Sequence, residues 1–497
     1  MASGIGIALA LALLLGLLAA LWWSWRHPFV GLGLIVAGMA FHSFVLMTLL
    51  QLGTPPLLVR AFQGWKELLL AVLAIAALAG LARRRRELRS ADLLATDWIA
   101  IAFAALAVVY FLLPGSVLHS GANLAQRAIG FRIVALIPLL YFLGRRFQGD
   151  DRERSTVAWL CVGAAALVAV FGLVELWLVP TRTWLSWGVN AYTAYLGFRY
   201  HGPGGLPENF FLTLGDGTLV RRMVSTYISP LGIAYTGLLV MPLGVVLVDR
   251  PWVKPAMRWL AALTLGLLLI GVMFSLTRLA LLATVGEAGL LFLLMRRSWV
   301  AALVPILIGA TALMLYVYPS VGPTVDRNLN PGGGSHGQAA VSGNDSSSQE
   351  HFGYLVNDLK VDIQHPLGLG TGASTVRYGQ LVGTGESAVL SMFGDLGLAG
   401  GLLYLALYVL SLWNGFRAFR AAPKGSLTAA LPLVTLVGGL ALIPITVTTD
   451  VWGDLSVTFL FWWAAGASAT VAQLRTTGTV TASPAGPQSA GSSHLVA

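Results

Sequence analysis

The stretch MRWLAALTLGLLLIGVMFSLTRLALLATVGEAGLLFLLM, residues 257 to 295, holds two apolar runs, 257–275 and 279–295, parted only by Leu276-Thr277-Arg278. Each run matches the length that an α-helix needs to cross bilayer hydrocarbon, about 20 residues. Further runs of this kind lie near 5–24, 29–51, 66–82, 98–113, 128–143, 156–178, 229–248, 298–318, 388–412, 428–446 and 453–473. The pattern predicts an all-α, polytopic transmembrane helical bundle of about 13 spans, within a range of about 12–14.

Composition agrees. Of 497 residues, 57% are hydrophobic and 10% charged, with mean hydropathy +0.77, a balance that excludes a water-soluble domain of this size. The net charge of +10 does not point to nucleic acid, because the basic residues sit in short clusters between apolar runs, where they act as topology signals. The single cysteine, Cys161, lies inside an apolar run and excludes an intrachain disulfide. The first run, Ile5 to Trp23, has neither a basic segment before it nor a small-residue cleavage site after it, and reads as a retained span.

With Arg83-Arg84-Arg85-Arg86 taken as cytoplasmic, alternation puts Arg145/Arg146/Arg152/Arg154, Arg250/Lys254/Arg258, Arg296/Arg297 and Arg417/Arg420/Lys424 on the same side. The N-terminus is then outside and the C-terminus inside. The chain divides into helices over 1–318 with an external loop at 180–228, a large external loop at 319–387, C-terminal helices over 388–473, and a Ser/Thr/Gly/Pro-rich tail at 474–497 that reads as disordered. In the first loop, Trp184, Trp187, Tyr192, Tyr195, Phe198 and Tyr200 suit either interfacial anchoring or sugar stacking. In the second, Pro331 to Ser348 reads as a flexible tip. Phe352, Leu355, Val356, Leu359 and Ile363 then recur at helical spacing, predicting a helix on the outer membrane surface with its polar face toward solvent. His365-Pro366 ends it, before a turn rich in glycine at Gly368, Gly370 and Gly372.

Several residues are chemically unexpected where they stand. Arg221, Arg222 and Arg278 are cations at predicted external ends, where positive charge is normally avoided, and a guanidinium there can grip a phosphate with paired hydrogen bonds. Glu386 opens the next span, where low dielectric and a nearby hydroxyl would let it work as a base. Its bland alternative is an acid at a helix N-terminus; for the arginines it is snorkelling to headgroups. Asp395, about two turns into that span, needs a partner or a cavity. His351 and His365 flank the surface helix, and Lys360 is the basic residue that follows His351. These histidines lack a ligand spacing, so no metal is expected. No cytoplasmic phosphate-cradling loop is present either, which argues against ATP as cofactor.

Taken in order, Trp65-Lys66-Glu67, Arg222-Met-Val-Ser-Thr-Tyr-Ile-Ser-Pro230, Phe274-Ser-Leu-Thr-Arg278 with Leu282, Asp362-Ile-Gln-His-Pro366-Leu-Gly368-Leu-Gly370, and Glu386-Ser387 followed after nine residues by Gly397-Leu-Ala-Gly400 resemble the O-antigen ligase and polymerase superfamily. The resemblance covers about residues 60 to 415, and Glu386 stands where the ligases carry a histidine. It departs from the family at the start of the loop helix, where an arginine is usual and His351 is present.

The resemblance implies a glycosyltransferase-C-like fold in a bacterial cytoplasmic (inner) membrane, with the active site toward the periplasm. It implies a metal-independent, inverting glycan polymerase that moves a glycan from undecaprenyl diphosphate to the acceptor sugar of another lipid-linked repeat unit, in O-antigen or exopolysaccharide synthesis. Glu386, Arg278 and Arg222 would be catalytic, and Arg221, His351, Lys360, His365 and Asp395 would bind substrate. No cofactor is implied. The implied partners are the lipid-linked donor, the glycan acceptor, membrane lipid and a chain-length regulator. Two alternatives stand beside this one: a ligase that delivers the glycan to lipid A core or another acceptor, and a flippase or transporter for lipid-linked glycan.

Overall fold

The computed structural model describes residues 2–83, 93–197, 200–214, 217–250, 253–325, 329, 346–374 and 386–476. Among them, thirteen helices are long and apolar enough to cross a membrane, one for each apolar run, so the chain is a multi-pass helical bundle. Several helices start earlier than hydropathy suggests because their first turns are polar. Asn123 caps the helix Leu124–Arg146 by accepting from the Gln126 amide, and Asp150 caps Asp151–Leu178 by accepting from the Glu153 amide.

The helices Pro230–Val248 and Leu455–Thr476 form the centre of the bundle, almost wholly buried, whereas Ala2–Arg26 turns Leu11, Leu15, Leu18 and Trp22 outward. Leu455–Thr476 crosses Leu124–Arg146 at very short range. A Cβ on Gly466 would fall 1.8 Å from the Tyr141 carbonyl oxygen, and one on Gly144 would fall 2.2 Å from that of Trp463. Only glycine permits two backbones to approach so closely.

Contacts gather the predicted cytoplasmic clusters at one end of the bundle. Arg297 pairs with Asp249 at 2.8 Å, Arg154 donates to Thr428 Oγ1 at 3.0 Å, and Arg250 donates to Ser155 Oγ at 3.4 Å. Arg145 proves to be more than a topology signal: it bonds Asp97 at 2.8 Å inside the bundle, and Tyr141 donates to the other oxygen of that carboxylate. Within the Arg83–Arg86 cluster, residues 84–86 lie outside the described residues, as do Phe198, the tip from 331 to 345 and the tail from 477 onward.

At the opposite end, residues 180–228 fold into short helices and a two-stranded hairpin, Phe211–Thr213 against Leu219–Arg221, with Phe211 opposite Arg221. The aromatic residues here build a small core of their own. Trp184 is fully buried, 5.2 Å from Trp187 and 5.4 Å from Phe210 between ring centres, and so offers no stacking face to a sugar.

The surface helix Ser346–Gln364 begins within the serine run that the sequence places in the flexible tip, and its orientation differs from expectation. His351, Asp358 and Asp362 share one stripe, since offsets of seven and eleven residues return to within about 20°. Asp358 is buried and Asp362 partly so, which turns this polar stripe toward the protein. Phe352, Val356, Leu359 and Ile363 are exposed. The stripe expected to rest on the membrane is thus free to meet lipid, but the polar face meets protein instead of solvent.

Candidate functional site

After the hairpin, the chain is pinned to the turn between the helices Pro255–Phe274 and Arg278–Met295. The Met223 amide donates to the Phe274 carbonyl at 2.9 Å, Arg222 Nε donates to the Ser275 carbonyl at 2.8 Å, and Arg222 Nη2 donates to Thr277 Oγ1 at 2.9 Å. The turn is tight, with Leu276 in the left-handed region at φ 51°. Arg278 is the first residue of the second helix, one peptide beyond the Thr277 that Arg222 grips.

Arg222 thus lies where the charge of Arg278 acts on it. Burial lowers the Arg222 pKa to about 10, and the charge of Arg278 pushes the same way, while Tyr235 opposes. Arg222 stays cationic at neutral pH, and its hydrogen bonds go to neutral oxygens. Two like charges beside a helix N-terminus, with its outward N–H groups, create a strong local preference for an anion.

Glu386 approaches from another direction. Ser387 caps the helix Ala388–Ala421 by accepting from the Leu390 amide, and the Ala388 amide donates to the Thr449 carbonyl at 3.2 Å. This fixes Glu386 at the helix mouth, where its Oε2 lies 2.6 Å from His351 Nδ1. An ionised carboxylate only accepts, so the imidazole supplies the hydrogen. The other oxygen, Oε1, takes no part in that contact.

Tyr235 connects the two halves. It sits in the second turn of the helix Pro230–Val248, its hydroxyl 3.4 Å from Thr449 Oγ1, and it feels the charges of Arg222, Asp454 and Glu386. Charge interactions thus link Arg278 to Arg222 and Tyr235 to Arg222, Asp454 and Glu386, with His351 bonded to Glu386. Sequence reasoning missed Tyr235 because it stands inside an apolar run. The available signal was a hydroxyl close behind Ser229-Pro230, at the end where the unexpected arginines lie.

A second basic group lies nearby. Lys66 is buried, 2.9 Å from the Gln63 carbonyl and 3.3 Å from Glu67, and Arg132 reaches Glu67 at 3.2 Å. Trp65 donates to His42 at 3.0 Å, and Thr226 donates to the carbonyl of Ala40 on the same helix, which ties this group to the Arg222 segment. The Trp65-Lys66-Glu67 motif was visible in the sequence, but its link to the Arg222 segment through the helix Pro28–Gln51 was not.

Four expected substrate ligands have other places. Arg221 is buried and pairs with Glu175 at 2.8 Å, while also donating to the Val179 carbonyl at 2.7 Å. The anion that holds it at this end of the bundle is therefore part of the protein. Asp395 accepts from the Gly372 amide at 2.7 Å, the Ser374 amide at 2.9 Å and the Ser374 hydroxyl at 2.6 Å, so it anchors the glycine-rich loop. That loop docks where the helix Ala388–Ala421 breaks at Gly397, whose φ of 68° and ψ of −173° suit only glycine. The Leu398 amide donates to the Pro366 carbonyl there at 2.8 Å. His365 ends the surface helix about 20 Å from His351. Lys360 is exposed, about half a turn around the helix from His351.

No family model and no curated protein matches the chain. The arrangement itself offers two cations, Arg222 and Arg278, and a carboxylate bonded to an imidazole, Glu386 with His351. Among the described residues, no group of three or more His, Cys, Asp and Glu side chains is arranged to hold a metal ion.

Proposed function

We propose that this protein is a membrane glycosyltransferase that moves a glycan from undecaprenyl diphosphate to the acceptor sugar of another lipid-linked repeat unit. The observation that carries the reading is the meeting of Arg222, Arg278 and the Glu386–His351 pair around Tyr235. The ordered resemblance to the O-antigen ligase and polymerase superfamily supports it. The proposed setting is the bacterial cytoplasmic membrane, with the site toward the periplasm.

In this mechanism Arg222 and Arg278 hold the donor diphosphate and offset the charge that grows on it as the glycosidic bond breaks. Glu386 Oε1 takes the proton of the acceptor hydroxyl, whose oxygen attacks the anomeric carbon in line and inverts its configuration. His351 holds the carboxylate through Oε2. The diphosphate is already an activated leaving group, so the scheme calls for neither nucleotide nor metal.

One observation favours the ligase as a second reading. His351 brings an imidazole to the carboxylate that occupies the ligase histidine's place, so a histidine is at hand after all. Purified protein supplied with undecaprenyl diphosphate-linked repeat units decides between the two. A product ladder from wild type, lost in Glu386→Gln and Arg278→Ala, is expected of the polymerase. Transfer only when lipid A core is added would establish the ligase.

A further inference from the structure

At the opposite, basic end of the bundle, the first turns of the helix Asp151–Leu178 border an open groove of about 440 Å³ lined by Arg152, Ser155, Thr156, Trp159 and Leu160. Beside it, Arg250, just past the end of the neighbouring helix Pro230–Val248, donates to the lining Ser155 Oγ at 3.4 Å. Of the acids nearby, Asp249 pairs with Arg297 and Asp151 with Arg154, Glu153 lies 3.3 Å from His27, and Asp150 caps the helix by accepting from the Glu153 amide. Arg152 and Arg250 have no carboxylate partner among the described residues, and Arg250 Nε is buried without a hydrogen-bond acceptor. The adjoining helix Pro255–Phe274 exposes Trp259, Leu260 and Leu263.

We propose that this groove is a binding site for one anionic phospholipid of the leaflet at the basic end. The two guanidinium groups and the Ser155 hydroxyl take the headgroup phosphate. Trp159, about two turns further along the helix, lies at the depth of the glycerol backbone, where amphipathic rings concentrate. The acyl chains run down the exposed side chains of the two helices. Two guanidinium groups without a carboxylate partner, at the end of the bundle where Arg154, Arg297, Lys254 and Arg258 also gather, favour a net-negative headgroup over a zwitterionic one. The proposal does not depend on what the opposite end of the bundle catalyses.

The test is native mass spectrometry of the full chain in neutral detergent, titrated with phosphatidylglycerol and with phosphatidylcholine. Wild type is expected to retain phosphatidylglycerol preferentially. Arg152→Ala and Arg250→Ala should each weaken that binding about fivefold, and the pair about thirtyfold. Phosphatidylcholine binding should not change, nor should Arg420→Ala, at another corner of the same end, have an effect. The double lysine variant, Arg152→Lys with Arg250→Lys, keeps the charge and should keep the preference, which separates loss of the site from loss of the fold. Equal retention of the two lipids by wild type, or undiminished phosphatidylglycerol binding in the double alanine variant, would overturn the proposal. So would displacement of the lipid by millimolar inorganic phosphate, which would mark a site for free anions.

Discussion

Asp395 offers a sharp test of what the charged residues in these helices do. Its Oδ1 accepts from both the amide and the hydroxyl of Ser374, and its Oδ2 accepts from the amide of Gly372. Replacement by alanine strands two buried amide donors, while the Ser374 hydroxyl keeps the Ser391 carbonyl at 3.2 Å. At about 2 kcal/mol for each stranded amide, Asp395→Ala should cost roughly 4 kcal/mol. Asp395→Asn keeps one carbonyl oxygen, which can face Ser374 and preserve two of the three bonds, while its NH2 opposes the Gly372 amide. That variant should cost only about 2 kcal/mol. Equilibrium unfolding in mixed micelles, followed by tryptophan fluorescence, gives both values, and the proposed transferase activity is measured on the fraction that remains folded. An anchor predicts stabilities in the order wild type, Asn, Ala, with activity per folded molecule falling far less than for Glu386→Gln. Should the alanine variant be as stable as wild type yet inactive, the anchoring role is wrong and Asp395 belongs to the substrate.

Arg221→Ala should destabilise by about 3–5 kcal/mol because it leaves Glu175 buried and unpaired, whereas Arg221→Met with Glu175→Leu should recover most of the loss; unfolding of the two variants side by side checks this. Burial, then the charges of Asp358 and Asp395, push the Asp362 carboxyl up to about 7. The folded state therefore holds a proton that the unfolded chain releases in the ordinary carboxylate range, so stability should fall as pH rises from about 4 to 7, and Asp362→Asn should flatten that slope. Glu287 lies fully buried in the helix Arg278–Met295, and neither carboxylate oxygen has a hydrogen-bond partner among the described residues. Glu287→Leu should raise stability by about 1–3 kcal/mol, and a fall would reveal a partner outside those residues.

Each span of the bundle was legible in hydropathy because lipid imposes one solution on a long apolar run: a helix with its backbone satisfied internally. What hydropathy could not convey was pairing across distance. Arg221 and Arg222 are neighbours with the same chemistry, yet one meets Glu175 across the fold and the other turns to Thr277, a choice made by the strand register around Phe211. The motif after Ser387 was visible as spacing, but the reason for Gly397 appears only with the loop docked on it, since a Cβ there would fall 2.5 Å from the Leu367 carbonyl carbon. Helical periodicity identified the surface helix, whereas which stripe faced the protein depended on the body beneath it. Of the proposed site, the charged members Arg222, Arg278 and Glu386 stood out because charge is rare in such a chain. Tyr235 did not, because an aromatic residue in an apolar run is unremarkable until its hydroxyl is seen beside Thr449.

The inverted seating of the surface helix makes the surroundings part of the machinery. One edge of Ser346–Gln364 holds Glu386 through His351, while another leaves Phe352, Leu359 and Ile363 for whatever amphiphile surrounds the bundle. A detergent belt that stops short of this helix would leave those side chains in water and favour their rolling inward, which would draw the imidazole from the carboxylate. The protein should then lose turnover in short-chain detergents with its thirteen spans still folded, and regain it in nanodiscs without any change of substrate.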